Sequence, residues 1–190
     1  YGEALKTEDK KKIKACRDRY GHREIREALT EMCADKCAYC EARITHIDTP
    51  HIEHYRPISK FPDRTFDWDN LLLACTKCNR DYKSDKFPSE AEGGLLLNPA
   101  TDTPEDHLAF VYDTTTKLAS VQSKTDRGAK SIEVLGLNRY DLRRHRSVHI
   151  SRLLYIARRA STDPEAQELL HKAIQNDAEY AAFARSLMEA

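Results

Sequence analysis

The sequence predicts an α+β fold: a small ββα core framed by helices at its N- and C-terminal ends. Three observations carry that prediction. Two CxxC pairs, Cys37 with Cys40 and Cys75 with Cys78, stand 34 residues apart; short apolar runs without helical period lie between them; and helix-period segments flank both sides. The division that follows is residues 1–35 as an N-terminal helical segment, 36–90 as a metal-closed core, and 91–190 as an extension made of a small hairpin and then helices.

Taken in order, Thr7 is placed to cap a helix running through Lys10–Lys14 towards Tyr20, with Gly21 as its stop. A second helix is expected from about Arg23 to Asp35, with Ile25, Ala28, Leu29 and Met32 at helical spacing. Residues 36–48 read as a metal knuckle followed by a strand or loop. His51–Tyr55 reads as a strand that Pro57 closes, and residues 59–69, with Pro62 and several aspartates, as a loop. Asn70–Ala74 is a short apolar strand or helical turn, and a helix is expected from Cys75 to about Ser84.

Beyond Phe87 the Gly93-Gly94 and Asn98-Pro99 pairs mark turns. Leu108–Tyr112 and Lys117–Val121 form a candidate hairpin. Helical period returns at Lys130; Asn138 or Asp141 is placed to cap a long helix to about Ala160, and Asp163 with Pro164 to start the last one.

Composition narrows the function classes. Lys plus Arg and Asp plus Glu both number 31, so no global field draws the chain to a polyanion or an anionic membrane, and any such site must be local. No apolar run approaches the roughly 20 residues of a membrane span, and no leader pattern opens the sequence, so a cytoplasmic protein without membrane attachment is the expectation. Six cysteines could make three disulfides, yet a chain of this size needs no staples, and the tight pairs suit zinc. Cys16 and Cys33, left over among helix formers, read as buried thiols.

Two residues between cysteines let both sulfurs of a turn face one tetrahedral ion. Cys37, Cys40, Cys75 and Cys78 therefore read as a closed structural zinc site that clamps the ends of the intervening module. That module contains the chemistry. His54 is the candidate general base, since a neutral imidazole is available near pH 7. Glu53 and Asn79 offer oxygens suited to a second, hard ion such as Mg2+ or Mn2+. Asn79 directly follows the second CxxC, so zinc fixes its position. Strict strand alternation would send Glu53 and His54 to opposite faces, so the strand must twist or end there. Asn70 is read as a brace for the loop that holds His54.

The segments CAYC, IEHYRP, DNLLLACTKCN and DYKSDKFP resemble the zinc-containing HNH endonucleases with a ββα-metal fold. With LLLNPATDTPEDHL and IEVLGLNRYDLRRHR they resemble, more narrowly, the PtuB-type HNH nucleases of Septu anti-phage defence, sometimes carried alongside retrons; the likeness covers roughly residues 33–150. It implies that His54 is the base, that Glu53 stands where many HNH proteins have a metal-binding Asp, that Asn70 is the middle structural Asn, and that Asn79 replaces the final His. It also implies a phosphodiester hydrolase, with DNA favoured over RNA or tRNA. The implied partners are a nucleic acid, a PtuA-like ABC-type ATPase that gates the nuclease and, in the retron setting, a reverse transcriptase complex.

A zinc module that scaffolds a nucleic-acid complex without catalysis is the competing reading. Lys77, Arg80, Lys83 and Lys86 follow the second CxxC, where they either hold phosphates or form a solvated face. Lys83 is the favoured phosphate contact, because a lysine recurs there in the HNH pattern. His51 reads equally as a neighbour of the ion and as a plain strand histidine. Residues 139–159 hold seven arginines against one acid, Asp141, which suits a nucleic-acid backbone, an acidic partner, or in part a helical core.

Overall fold

The computed structural model describes residues 18–44, 48–92 and 95–188. The lysine-rich helix expected from Thr7 lies outside the described residues up to a single 3-10 turn, Asp18–Gly21, and so do Cys16, His46 and the Gly93-Gly94 pair. Two compact units divide the chain: residues up to Ala38 with Arg43–Phe87, and Tyr39–Ala42 with the chain from Pro88 onward.

In the first unit, α1 spans Arg23–Met32 and buries Leu29 completely, whereas Met32 is exposed. The helix stops three residues before the expected Asp35. Ala34 and Asp35 adopt left-handed backbone, φ 51° and 62°, and this reversal turns the chain into the knuckle. Strands β1 (His51–His54) and β2 (Leu71–Ala74) pair antiparallel, His51 opposite Ala74 and His54 opposite Leu71. Every residue of β2 is buried, so this short ribbon is interior on both faces and shows no polar alternation. The loop between the strands holds two 3-10 turns, Pro62–Arg64 and Trp68–Asn70. Tyr55 and Phe61 pack edge-on against Phe87, at 5.1 and 5.3 Å, and tie the loop to the end of the unit.

The helix expected from Cys75 begins at Lys77 and is a π-helix, Lys77–Lys83, closed by a bond from Ser84 N–H to the Asn79 carbonyl. Thr76, at its start, bonds through both N–H and hydroxyl to Asp48.

In the second unit, β3 (Leu108–Asp113) and β4 (Leu118–Ser123) form the hairpin, with the Asp113 carboxylate accepting from the N–H groups of Thr115 and Thr116 in its turn. Helix α2 spans Asp126–Leu135, starting four residues before the expected Lys130 because Thr125 caps it. Gly128 is required there: a Cβ would stand 2.2 Å from the His107 carbonyl oxygen.

Helix α3 spans Tyr140–Ala157, and neither expected residue caps it. Arg139 occupies the cap position, while Asn138 is committed to β4, accepting from Val121 N–H and donating to its carbonyl. Helix α4, Pro164–Ala173, is capped by Asp163 with Pro164 at its first position. It is not the last helix: α5, Ala181–Met188, follows and buries Ala181–Ala184 against the unit's core. Among the described residues no helix is long and apolar enough to cross a membrane.

Candidate active site

Cys37, Cys40 and Cys78 are buried and Cys75 half-buried, and their four sulfurs all lie within 4.8 Å of one another. Tetrahedral zinc with bonds of about 2.3 Å spaces its thiolates about 3.8 Å apart, so the donor set fits one zinc ion and leaves no open position. Local backbone builds both turns. Ala38 N–H donates to the Leu73 carbonyl at 2.8 Å, Cys78 N–H points at the Cys75 sulfur at 3.4 Å, and Glu41 takes φ 60° after the first pair. Cys33 stays outside this cluster; it is half-buried rather than buried, and loss of hydration pushes its thiol pKa up.

Beside β1 an open polar cleft of about 560 Å³ is lined by His51, Glu53, His54, Ser59, Asn79 and Arg80. The strand ends at His54, and both Glu53 and His54 line the cleft although they are adjacent in sequence. His54 is buried, and its Nε2 lies 2.9 Å from the Thr65 carbonyl oxygen. A carbonyl only accepts, so Nε2 carries the proton and the lone pair of the neutral ring is on Nδ1. Burial lowers the His54 pKa and the neighbouring Lys83 ammonium lowers it further, against the opposing pull of the Thr65 bond. The ring thus favours its neutral form, with the lone pair on Nδ1.

Asn70 is 2% exposed and spends its amide on the same loop. Its Oδ1 accepts from Arg56 N–H at 2.7 Å, and its Nδ2 donates to the carbonyls of Arg56 and Arg64 at 3.1 and 3.0 Å. Arg56 lies two residues after His54, and Arg64 directly precedes Thr65, so one amide spans the chain on either side of the imidazole.

The π-helix distributes the residues after the second CxxC. Asn79 and Arg80 face the cleft, with Arg80 exposed. Lys77 is exposed and pairs with Asp81 at 3.1 Å, one turn along. Lys83 corrects the expectation of a phosphate-facing lysine: it is 0% exposed, and its amine lies 2.5 Å from Glu53 Oε1 and 2.8 Å from the His54 carbonyl oxygen. Its amine is thus committed to Glu53 and the strand end inside the π-helix segment Lys77–Lys83 rather than exposed for a phosphate.

Two groups escaped the sequence reading. Thr65 is wholly buried, with its hydroxyl on the Pro62 carbonyl, and its backbone rather than its side chain serves His54; no sequence signal announces a carbonyl. The second is a relay of Asp48, Thr76 and His51: the Thr76 hydroxyl donates to Asp48 at 2.9 Å and meets His51 Nε2 at 3.1 Å. Asp48 is pulled below the ordinary carboxylate range by its bonds from Thr76 and Thr49 despite partial burial, and so stays ionised as an anchor.

The arginine-rich helix divides by face. Arg146 is 2% exposed, with its guanidinium over the rings of Phe183 at 4.6 Å and Tyr180 at 5.6 Å, and it donates to the Leu137 carbonyl. Arg144 and Arg152 on α3, and Arg158 and Arg159 just past its end, are exposed, and Arg144 stacks on the exposed Tyr140 ring at 5.7 Å.

Residues 37–85 match the family model described as HNH endonuclease. The chain is similar to Septu protein PtuB of Bacillus mycoides (strain KBAB4), 32% identical over 170 residues that cover 76% of this chain and 57% of the relative. It is likewise similar to Septu protein PtuB of Bacillus thuringiensis, 32% identical over 124 residues, 64% of this chain and 44% of the relative. A protein of Vibrio cholerae serotype O1 biovar El Tor, named for the retron Vc95 and an HNH endonuclease, is 24% identical over 157 residues, 80% of this chain and 75% of the relative. The chain spans about half the length of the Septu relatives it matches. No solved structure matches it with significance.

Proposed function

We propose that the HNH endonuclease domain this chain carries hydrolyses phosphodiester bonds with the help of a divalent ion, with DNA as the favoured substrate. The single observation that supports this reading is the cleft: Glu53, His54 and Asn79 line it together, and His54 is neutral with its lone pair on Nδ1. Glu53 and Asn79 would hold Mg2+ or Mn2+ through oxygen, and the bound ion would supply positive charge to the phosphate and the leaving oxygen.

His54 then takes the proton of the attacking water at Nδ1 while its Nε2–H stays on Thr65. Asn70 keeps the two loop segments in register around that ring, and Arg80 meets the substrate's backbone charge from the cleft rim. Cys37, Cys40, Cys75 and Cys78 would hold zinc and thereby fix the start of the turn that presents Asn79; they take no part in bond cleavage.

The names of the relatives support a place in a Septu- or retron-type defence system, and we read the chain as its nuclease effector. Gating by an ABC-type ATPase partner is part of this proposal and rests on the family resemblance alone. The test incubates purified chain and its His54→Ala variant with plasmid, single-stranded DNA and RNA in Mg2+ or Mn2+, with and without the ATPase. Cleavage by the natural chain alone supports the reading. Equal cleavage by both removes His54 as the base, RNA-only cleavage replaces DNA as the substrate, and no cleavage in any arm favours a scaffold.

A further inference from the structure

We propose that Lys83 is the resident counter-ion of the ion-binding carboxylate: a positioning residue that holds Glu53 in place before the divalent ion arrives and keeps that ion exchangeable. The inference rests on reading Glu53 as an ion ligand.

A lysine with 0% exposure has given up the hydration of its ammonium, which a protein tolerates only where a carboxylate and further hydrogen bonds replace the water. Lys83 meets that condition through two adjacent residues at once, the Glu53 carboxylate at 2.5 Å and the His54 carbonyl at 2.8 Å. Glu53, itself 4% exposed, needs a cation equally. A single ammonium therefore couples the orientation of the carboxylate to the strand end that carries the base. Lys83 also closes the π-helix Lys77–Lys83 whose Asn79 faces the cleft, so the counter-ion and the second oxygen ligand come from one turn.

The electrostatic consequence has a definite sign. A dication bound at Glu53 lies within a few ångströms of a fixed like charge that water screens poorly, so it is held more weakly than by a lone carboxylate. Removing the charge of Lys83 should then tighten divalent binding while weakening the ion-free protein, the reverse of what loss of a simple brace would do.

Mn2+ titration of the natural chain at pH 8, followed by calorimetry and by the spin-resonance signal of free Mn2+, tests this alongside Glu53→Gln, Lys83→Met, Lys83→Gln and Lys83→Arg. The expectation is that Glu53→Gln loses Mn2+ binding, Lys83→Arg stays near the natural affinity, and both neutral variants bind Mn2+ about tenfold more tightly or better. They should also show a larger rise in melting temperature on adding Mn2+. Equal or weaker Mn2+ binding in the neutral variants, with Glu53→Gln still inactive towards Mn2+, overturns the counter-ion role and leaves the ligand reading standing. Natural affinity in Glu53→Gln instead overturns the ligand reading and the inference with it. A neutral variant that Mn2+ cannot restore to a folded state also counts against the proposal, because an ion at Glu53 should replace the missing charge.

Discussion

The cysteine cluster and the cleft beside β1, the two places proposed to hold ions, are built on opposite plans. The first gathers four identical soft donors within 4.8 Å, three of them buried, and so is closed and structural. The second sets two oxygen donors and an imidazole on an open polar wall, with a buried lysine already neutralising one carboxylate oxygen. On the proposed reading, closure would make the first site a source of folding energy, and openness would make the second a place for exchange and chemistry. Perturbing each in turn should therefore give different readouts: stability for the cysteines, turnover for the cleft.

The largest stability effect should follow Cys75→Ser. Structural zinc supplies folding free energy on the order of 10 kcal/mol in small zinc peptides, so this variant should lose zinc and the cooperative melting of the first unit, checked by metal analysis and calorimetry. His54→Ala should keep its zinc and fold while turnover falls about 10²- to 10⁴-fold, the usual share of a general base, checked in single-turnover cleavage.

Asn70→Ala lies between the two plans. It removes the side-chain partner of three part-buried backbone groups around the imidazole and should cost about 1–3 kcal/mol in chemical denaturation, with lower turnover in the protein that remains folded.

How much of this was legible in the sequence follows the range of the forces involved. The CxxC pairs announce themselves because two sulfurs reach one ion across a single turn, a local constraint that spacing records. The order of strand, loop, strand and helix, and the Asp163 cap of α4, are local in the same sense. The tautomer of His54 is not, since it depends on the Thr65 carbonyl eleven residues away. The burial of Lys83 is not local either, since its partners, Glu53 and the His54 carbonyl, lie about thirty residues earlier on β1. Asn138 was misread for a related reason: an Asn before a helix is a cap by local rules, but here the neighbouring strand claims its amide.

A smaller effect should appear with pH. His54 and His149 both have pKa values below the ordinary histidine value, in each case chiefly through burial. A group whose folded pKa is depressed favours the folded state fully above its unfolded value and withdraws that contribution as pH falls towards the folded one. Melting temperature should thus hold above about pH 6.5 and decline below it, and His54→Asn should flatten part of that decline. The smallest effect belongs to Lys77→Ala, whose exposed pair with Asp81 contributes about 0.2–1 kcal/mol at most and should leave the rate at saturating substrate unchanged.

The proposed division of labour between the cysteine cluster and the cleft is tested most directly by chelation with two simultaneous readouts. Brief treatment of the purified chain with EDTA, followed by zinc analysis and a nucleic-acid cleavage assay, should leave one zinc per chain and no cleavage, with activity returning on Mg2+ or Mn2+. Cleavage that persists in the chelated protein, or that returns only when zinc is restored to the cysteines, would contradict the account.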